Sequence, residues 1–143
     1  MAIIFKYPGA TACQIAGINK QRFNEAVAAG RYPCAPKVLK GGTRAFREED
    51  IIALFIYARL IEQNMPPRVA GEIACALRAK LEEHPEADEV SVPRHSETGT
   101  VTSERDTYSA HMHMVFDVAG IRSAIRPGLE AHRNGETSPP KED

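Results

Sequence analysis

The sequence predicts a mainly α-helical protein with a small amount of β structure: a winged helix-turn-helix with two supporting helices, followed by a small β/α segment. Three observations lead to this prediction. Two short helical patterns meet at a glycine, a basic hairpin pattern comes next, and two longer segments with apolar helical periodicity follow it. The 143 residues suffice for one ordinary domain, or for a small domain with an accessory piece.

The helix-turn-helix is predicted near the N-terminus. Thr11 is expected to cap the first helix, with Gln14 completing a capping box. Gly17 tolerates the left-handed conformation that ends a helix, and Asn19 is a good N-cap for a second helix over about residues 20–29. Two short helices joined by a tight turn are typical of DNA-binding proteins, in which the second helix enters the major groove.

A basic β-hairpin is predicted directly after the second helix. Residues 37–40 have the pattern of a short strand, and residues 43–46 return after a Gly41-Gly42 turn that can take positive φ angles. The basic residues of this hairpin are Lys37, Lys40 and Arg44, and it contains no acid. A basic hairpin directly after a helix-turn-helix is called a wing, and a wing typically lies on the phosphate backbone of DNA. For Arg44, a phosphate contact is favoured over support of the hairpin because the residue follows the Gly-Gly tip.

Two supporting helices are predicted next. The first begins with Glu48, Glu49 and Asp50, which complement the positive end of a helix dipole, and runs to about Gln63. It is apolar nearly all round and must be covered on several sides. The second, over about residues 67–84, is amphipathic. Its apolar stripe is Ala70, Ile73, Ala74, Leu77 and Leu81.

The C-terminal part changes character after Pro85. The alternation of Val90 and Val92 predicts a strand, residues 100–103 are rich in β formers, and residues 109–118 are a longer strand candidate. A helix is predicted over residues 119–125, with Pro127-Gly128 close to its end. We therefore divide the chain into an independently folding domain of residues 1–84, a β/α accessory segment of residues 85–131, and a polar tail of residues 132–143 that is expected to be disordered.

Charge is strongly segregated along the chain. Residues 1–47 contain eight basic side chains and one acid, Glu25, whereas the remainder holds 10 basic residues and 18 acids. The basic residues of the first segment are Lys6, Lys20, Arg22, Arg31, Lys37, Lys40, Arg44 and Arg47. The net charge is +7 for residues 1–47 and −8 for the remainder. This segregation suggests that the N-terminal part binds a polyanion, although an uneven but purely solvated surface would have the same pattern.

The cysteines and histidines do not predict a metal site. Cys13, Cys34 and Cys75 are odd in number and widely separated, which predicts reduced thiols, with a three-thiolate site between two subunits as a minor alternative. His111 and His113 would share one side of a strand. The alternation of Met112, Met114 and Phe116 favours a half-exposed strand over a metal-binding pair there. We expect no metal and no other cofactor.

Nothing in the sequence predicts catalysis or membrane insertion. The chain contains no GxSxG, P-loop, GxGxxG or HExxH motif, so an enzyme is not expected. The apolar stretch of residues 51–61 is interrupted by Arg59 and is too short to cross a bilayer, and no secretory signal pattern opens the chain. These features predict a cytoplasmic protein without a membrane partner.

The first half of the chain resembles the MerR superfamily of bacterial transcriptional regulators. The matching pattern is Thr11-Ala12-Cys13-Gln14-Ile15-Ala16-Gly17-Ile18, Gly30 with Pro33 and Pro36, Gly42-Thr43-Arg44-Ala45-Phe46, Glu48-Glu49-Asp50-Ile51, and Met65-Pro66 before Ala70 and Ile73. This resemblance covers residues 11 to about 82 and implies a winged helix followed by two supporting helices, with DNA as the ligand.

The resemblance does not extend to the family's metal sensing or to its usual dimer. Residues 21–30 contain no tyrosine, whereas typical members have an Arg- and Tyr-rich stretch there. Pro85 is expected to end the helix at the point where family members continue into a long coiled-coil helix. The segment after Pro85 contains no cysteine.

These observations predict a bacterial or phage-type, sequence-specific transcriptional regulator. Its recognition helix over about residues 20–29 would occupy the major groove, and its wing over residues 37–46 would contact phosphates. Lys20, Gln21, Arg22 and Asn24 are the candidates for base contacts, the alternative being the solvated face of a surface helix. An excisionase-like or small-terminase-like architectural or packaging factor is the second hypothesis. The third hypothesis is a protein-interaction module that no longer binds DNA. The positive net charge of residues 1–47 argues against this hypothesis.

The partners to consider are double-stranded DNA, a second copy of the chain and, for a regulator, RNA polymerase. One short helix and one wing offer few base contacts, so specificity generally needs two half-sites and hence a homodimer or higher assembly. The edge of the strand predicted over residues 109–118 is the candidate joining surface. In the competing view, the C-terminal elements pack onto the apolar helix of residues 48–63 and complete a monomer's core.

Overall fold

The computed structural model describes residues 5–93 and 113–135. These ranges are mainly helical and contain two small antiparallel sheets, which confirms the predicted mixture of α and β structure. In chain order the elements are β1 (Tyr7–Pro8), α1 (Gly9–Ala16), α2 (Lys20–Ala28), β2 (Ala45–Phe46), α3 (Glu48–Glu62), α4 (Pro67–Glu83), β3 (Glu89–Pro93), β4 (His113–Asp117) and α5 (Val118–Arg133).

The turn between α1 and α2 follows the sequence prediction. Gly17 adopts φ 78°, and the Ile18 amide donates to the carbonyl of Cys13 at 2.9 Å, so the exposed end of α1 is closed by a left-handed cap. The carboxamide oxygen of Asn19 accepts from the Arg22 amide at 3.1 Å and caps α2. Arg59 of α3 donates to the Gly17 carbonyl at 3.2 Å, which fixes this turn onto the long helix.

The prediction that Thr11 caps the first helix is wrong. Helix α1 begins at Gly9, its N-cap is Pro8, and Thr11 is buried within the first turn. The chain reaches the helix early because β1 pairs with β2, with Tyr7 opposite Phe46. Pro8 supplies extended backbone at the junction (ψ 158°), so the helix follows the strand without a capping loop.

The chain between α2 and α3 contains a tight hairpin. Val38 bridges Arg44, the Leu39 amide donates to the Thr43 carbonyl at 2.6 Å, and the Leu39 carbonyl accepts from the Gly42 amide at 3.0 Å. Gly41 and Gly42 have φ angles of 102° and 87°, which favour glycine. The returning arm continues into β2, so the hairpin is attached through β1 to the start of α1.

Helix α3 is the centre of the hydrophobic core. It packs against α1, α4 and α5, in keeping with its predicted apolar surface on nearly all sides. The predicted stripe of α4 is buried, from Ala70 to Leu81. At the start of α3, Asp50 accepts from the Arg47 amide at 2.8 Å and from Arg78 Nε of α4 at 2.6 Å. The Asp50 side chain therefore caps one helix and ties it to the next.

The helix predicted over residues 119–125 is longer than expected, since α5 runs from Val118 to Arg133 with Pro127 inside it. A proline in a helix removes one backbone hydrogen bond. The apolar stripe Ile121, Ile125 and Leu129 is buried, and α5 packs on α1 and α3, so burial outweighs that cost.

The hydrophobic core crosses the boundary predicted at residue 84. The buried side chains of β3, β4 and α5 belong to the same cluster as those of α1, α3 and α4. Val90 and Phe116 face each other across the β3–β4 pair. The described ranges thus have the arrangement of the competing view, in which the C-terminal elements complete the core of residues 1–84.

The prediction of a disordered tail from residue 132 is wrong for its first two residues. His132 and Arg133 lie in α5, and Arg133 Nε donates to the Tyr7 hydroxyl at 3.0 Å. The His132 ring packs against Tyr7 with centroids 5.3 Å apart. Residues 136–143, the β-rich stretch of residues 100–103 and the first part of the strand predicted over residues 109–118 lie outside the described ranges.

The prediction of three reduced thiols is wrong, because Cys34 and Cys75 form a disulfide bond with their Cα atoms 5.5 Å apart. The bond joins the segment after α2 to the middle of α4 across a sequence separation of 41 residues. Spacing alone could not reveal this pairing, since it depends on α4 crossing that segment. Cys13 is buried in α1 and takes no part in the bond.

Candidate nucleic-acid interface

Helix α2 is fixed to the molecule by one face and exposes the other. Phe23 and Ala26 are buried, whereas Gln21, Arg22 and Asn24 are exposed. The Phe23 ring lies 5.6 Å from that of Tyr32 and 5.7 Å from that of Phe46 at the base of the hairpin. Aromatic contacts at these separations favour a fixed geometry. The exposed face of α2 is therefore held in a defined position relative to the hairpin.

A groove of about 300 Å³ separates α2 from the hairpin. Its lining residues are Gly9, Lys20, Phe23, Asn24, Val38, Gly42, Thr43 and Arg44. The structure thus brings together two candidates from the helix, Lys20 and Asn24, and one from the hairpin, Arg44. We call this surface, with the exposed residues 37–42 of the hairpin, the basic face.

The other two candidates on α2 have different surroundings. Arg22 lines a second cleft of about 510 Å³ on the α3 side of the helix, together with Glu25, Arg31, Tyr57 and Glu62 among others. Gln21 Nε2 lies 3.4 Å from the Glu25 carboxylate, a long hydrogen bond on an exposed surface. A base contact by Gln21 would have to replace this bond.

Arg44 supports the hairpin from within. Its Nη1 donates to the carbonyl of Pro36, on the chain entering the hairpin, and its side chain is half-buried. From the sequence this supporting role is less favoured than a phosphate contact. A guanidinium has five N–H donors, so one bond to Pro36 leaves donors for a second acceptor.

The tip of the hairpin carries two apolar side chains that the sequence pattern predicts only as strand residues. Val38 is 54% exposed and Leu39 is 51% exposed, between the exposed Lys37 and Lys40. Consecutive residues of a strand point to opposite faces. Because no second layer covers this hairpin, at least one of two adjacent apolar residues must be exposed, and the sequence pattern already contained this information.

Tyr32, Asp50 and Arg78 have structural roles. Burial raises the pKa of Tyr32, and the charge of Asp50 adds to this effect. Burial also lowers the pKa of the Arg78 guanidinium, but the hydrogen bonds and charges of Asp50 and Glu82 outweigh burial and the net shift is upward. Tyr32 is therefore neutral at pH 7, and Arg78 forms a salt bridge with the buried Asp50 side chain. The exposed basic side chains of α2 and the hairpin are Arg22, Lys37 and Lys40.

The described ranges contain no cluster of three or more residues suited to hold a metal ion, and within them no helix is long and apolar enough to span a membrane. His113 is exposed, with Nδ1 lying 3.1 Å from the Ser91 hydroxyl. His111, its predicted neighbour, lies outside those ranges.

No protein-family model matches the chain, and no curated protein matches its sequence.

Proposed function

We propose that this protein is a sequence-specific DNA-binding protein with the winged helix-turn-helix arrangement, most simply a transcriptional regulator. The observation that carries the proposal is the basic face: a capped, exposed helix and a basic hairpin lie on either side of one groove. Residues 30–47 contain no acid, and Glu25 is the single acid among the first 47 residues. A surface of this charge suits a polyanion, and the exposed helix has the size that fits a major groove.

Within this proposal the residues divide into two groups. Asn24, and with it Gln21, would contact bases, because carboxamides pair bidentately with adenine. Lys37 and Lys40, with Lys20 at the groove, would contact phosphates, which carry no sequence information. Arg22 would act from the α3 side of the helix. Arg44 would act mainly by holding the hairpin, with its remaining donors available to a phosphate.

An architectural or packaging factor is the second candidate function, since it would use the same surface. Mapping the occupied sites in the native genome separates the two: promoters indicate a regulator, and recombination or packaging sites indicate the alternative.

A homodimer, contact with RNA polymerase and a cytoplasmic location belong to the proposal for a regulator. One edge of β4 is already occupied by β3, so a dimer built on this sheet would use an outer edge, beside the 59% exposed Val115.

Asn24→Ala is expected to change the sequence preference of binding. In vitro selection from a random duplex pool should give a weaker consensus, with discrimination at the contacted base pair reduced by about 1–3 kcal/mol. Lys37→Ala/Lys40→Ala should weaken binding to all duplexes alike while keeping the wild-type consensus. Lys80→Ala on α4 is the matched control, and it should change neither. An altered consensus from the hairpin variant alone would reverse the roles of helix and hairpin.

A further inference from the structure

The cleft of about 510 Å³ between α2 and α3 has the size of a small-molecule site, since ligand pockets usually measure about 300–1,000 Å³. We call it the α2–α3 cleft. Tyr57, Ala58 and Ile61 of α3 give it an apolar wall, together with Ile18 of the turn before α2. Tyr57 is 4% exposed and its ring packs edge-on against Tyr32, with centroids 5.0 Å apart. The apolar wall is therefore fixed by the core behind it.

The charged groups that line the α2–α3 cleft leave an excess of positive charge. Arg22 of α2 and Arg31, which follows the helix, form no ion pair with another described residue. Of the two acids, Glu62 is bound to Arg59 at 3.0 Å, outside the lining. Glu25 accepts only a long hydrogen bond from a neutral side chain. Because Glu25 offsets one of the two guanidinium groups, one net positive charge remains.

Arg31 is placed beside the apolar wall. Its amide donates to the Ala26 carbonyl at 2.8 Å, which fixes the backbone where α2 ends. Burial raises the pKa of Tyr57, and the charge of Arg31 opposes this effect, so the guanidinium lies near the phenol. A planar guanidinium favours a planar anion, because a carboxylate can accept two parallel hydrogen bonds from it.

We propose that the α2–α3 cleft binds a small aromatic carboxylate, with its ring against Tyr57 and Ile61 and its carboxylate held by Arg22 and Arg31. One negative charge matches the net charge of the cleft, whereas the second charge of a phosphate ester would be repelled by Glu25. The consequence for DNA rests on the proposed function. Arg22 belongs to the helix assigned to DNA, so a ligand that holds its guanidinium should weaken DNA binding, and DNA should weaken ligand binding by the same factor.

The test of the site uses 2-naphthoate as the probe and its neutral amide, 2-naphthamide, as the matched ligand. Titration of the isotope-labelled full chain with 2-naphthoate should shift the amide NMR signals of Arg31, Ala58 and Ile61. The amide should bind about tenfold more weakly, because it cannot accept charge-assisted hydrogen bonds. Arg31→Gln should weaken naphthoate binding by about tenfold as well. Arg126→Gln, exposed on α5, is the matched control and should bind as the wild type.

Fluorescence anisotropy on a labelled duplex tests the consequence for DNA. Saturating 2-naphthoate should raise the Kd of the wild type for DNA about fivefold, and 2-naphthamide should leave it unchanged. Arg31→Gln should bind DNA as the wild type does in the absence of the probe, and it should lose the response to the probe.

The outcomes separate the site from the proposed function. Equal affinity for the acid and the amide, unchanged affinity in Arg31→Gln, or signal changes at Lys37 and Lys40 in place of the cleft would overturn the site. Binding of naphthoate in the cleft without any effect on DNA affinity would overturn its control of DNA. If the protein bound no duplex at low salt, the proposed function would be removed, while the NMR titration would still decide whether the cleft binds the carboxylate.

Discussion

Substitution of Gly71 by alanine is expected to lower the free energy of unfolding by about 3 kcal/mol, the upper end of the usual cost of overpacking. A Cβ atom at this position would overlap the carbonyl oxygen of Arg31 and lie 2.9 Å from its carbonyl carbon. The obstacle is backbone, which cannot rotate away as a side chain can. Helix α4 would have to move off the segment that connects α2 to the hairpin.

The direction of this effect distinguishes packing from helix propensity. Alanine in place of glycine normally stabilises a helix interior by roughly 1 kcal/mol. Gly9→Ala is the matched control, because its Cβ would make only an ordinary contact with Phe46 at 3.7 Å. Urea denaturation should show a lower midpoint for the Gly71 variant alone. A Gly71→Ala protein as stable as the wild type would mean that α4 and the Arg31 backbone do not touch.

Removing the Cys34–Cys75 bond is expected to cost the protein about 4 kcal/mol of stability if the bond acts by restricting the unfolded chain across its separation of 41 residues. Because the bond holds the connector between α2 and the hairpin onto α4, breaking it should also weaken DNA binding. The comparison is between oxidised and reduced wild type, with Cys34→Ala/Cys75→Ala measured in both conditions. The variant should not respond to dithiothreitol, since Cys13 takes no part in the bond.

A thiol count checks the bond itself. Unfolded protein purified without reductant should give one reactive thiol per chain, that of Cys13. Three thiols would contradict the disulfide, and so would wild-type stability that reductant leaves unchanged.

The elements that the sequence predicted well are those whose signal is local. Helices α3 and α4 carry their periodicity within a single segment, and the cap by Asn19 and the left-handed Gly17 need only a few neighbouring residues. The positions of Lys20 and Asn24 beside the hairpin also follow from chain order, since a short connector must return the chain alongside the helix it leaves.

The features that the sequence did not reveal depend on packing between distant segments. Helix α5 continues through Pro127 because α1 and α3 bury its stripe, and a Cβ at Gly128 would lie only 2.9 Å from Ile15, so the glycine allows α5 to approach α1 closely. Thr11 is not the predicted cap because β1 pairs with β2. The directions of individual side chains also could not be predicted from the sequence. Arg22 faces the α3 side of the helix, and Arg44 donates a hydrogen bond to the Pro36 carbonyl.

The most direct test of the central claim, that the basic face binds duplex DNA, is the salt dependence of affinity. Anisotropy titrations of the full chain on a labelled duplex, from low to physiological salt, give the slope of log K against log salt. We predict measurable binding and a steep negative slope, which should become flatter by about 0.9 for each lysine–phosphate pair that a substitution removes. Lys20→Ala/Lys37→Ala/Lys40→Ala should therefore flatten the slope by roughly three times that amount, and Lys80→Ala should leave it unchanged. A wild-type protein without affinity at low salt, or a triple variant with the wild-type slope, would contradict the assignment of this face to DNA.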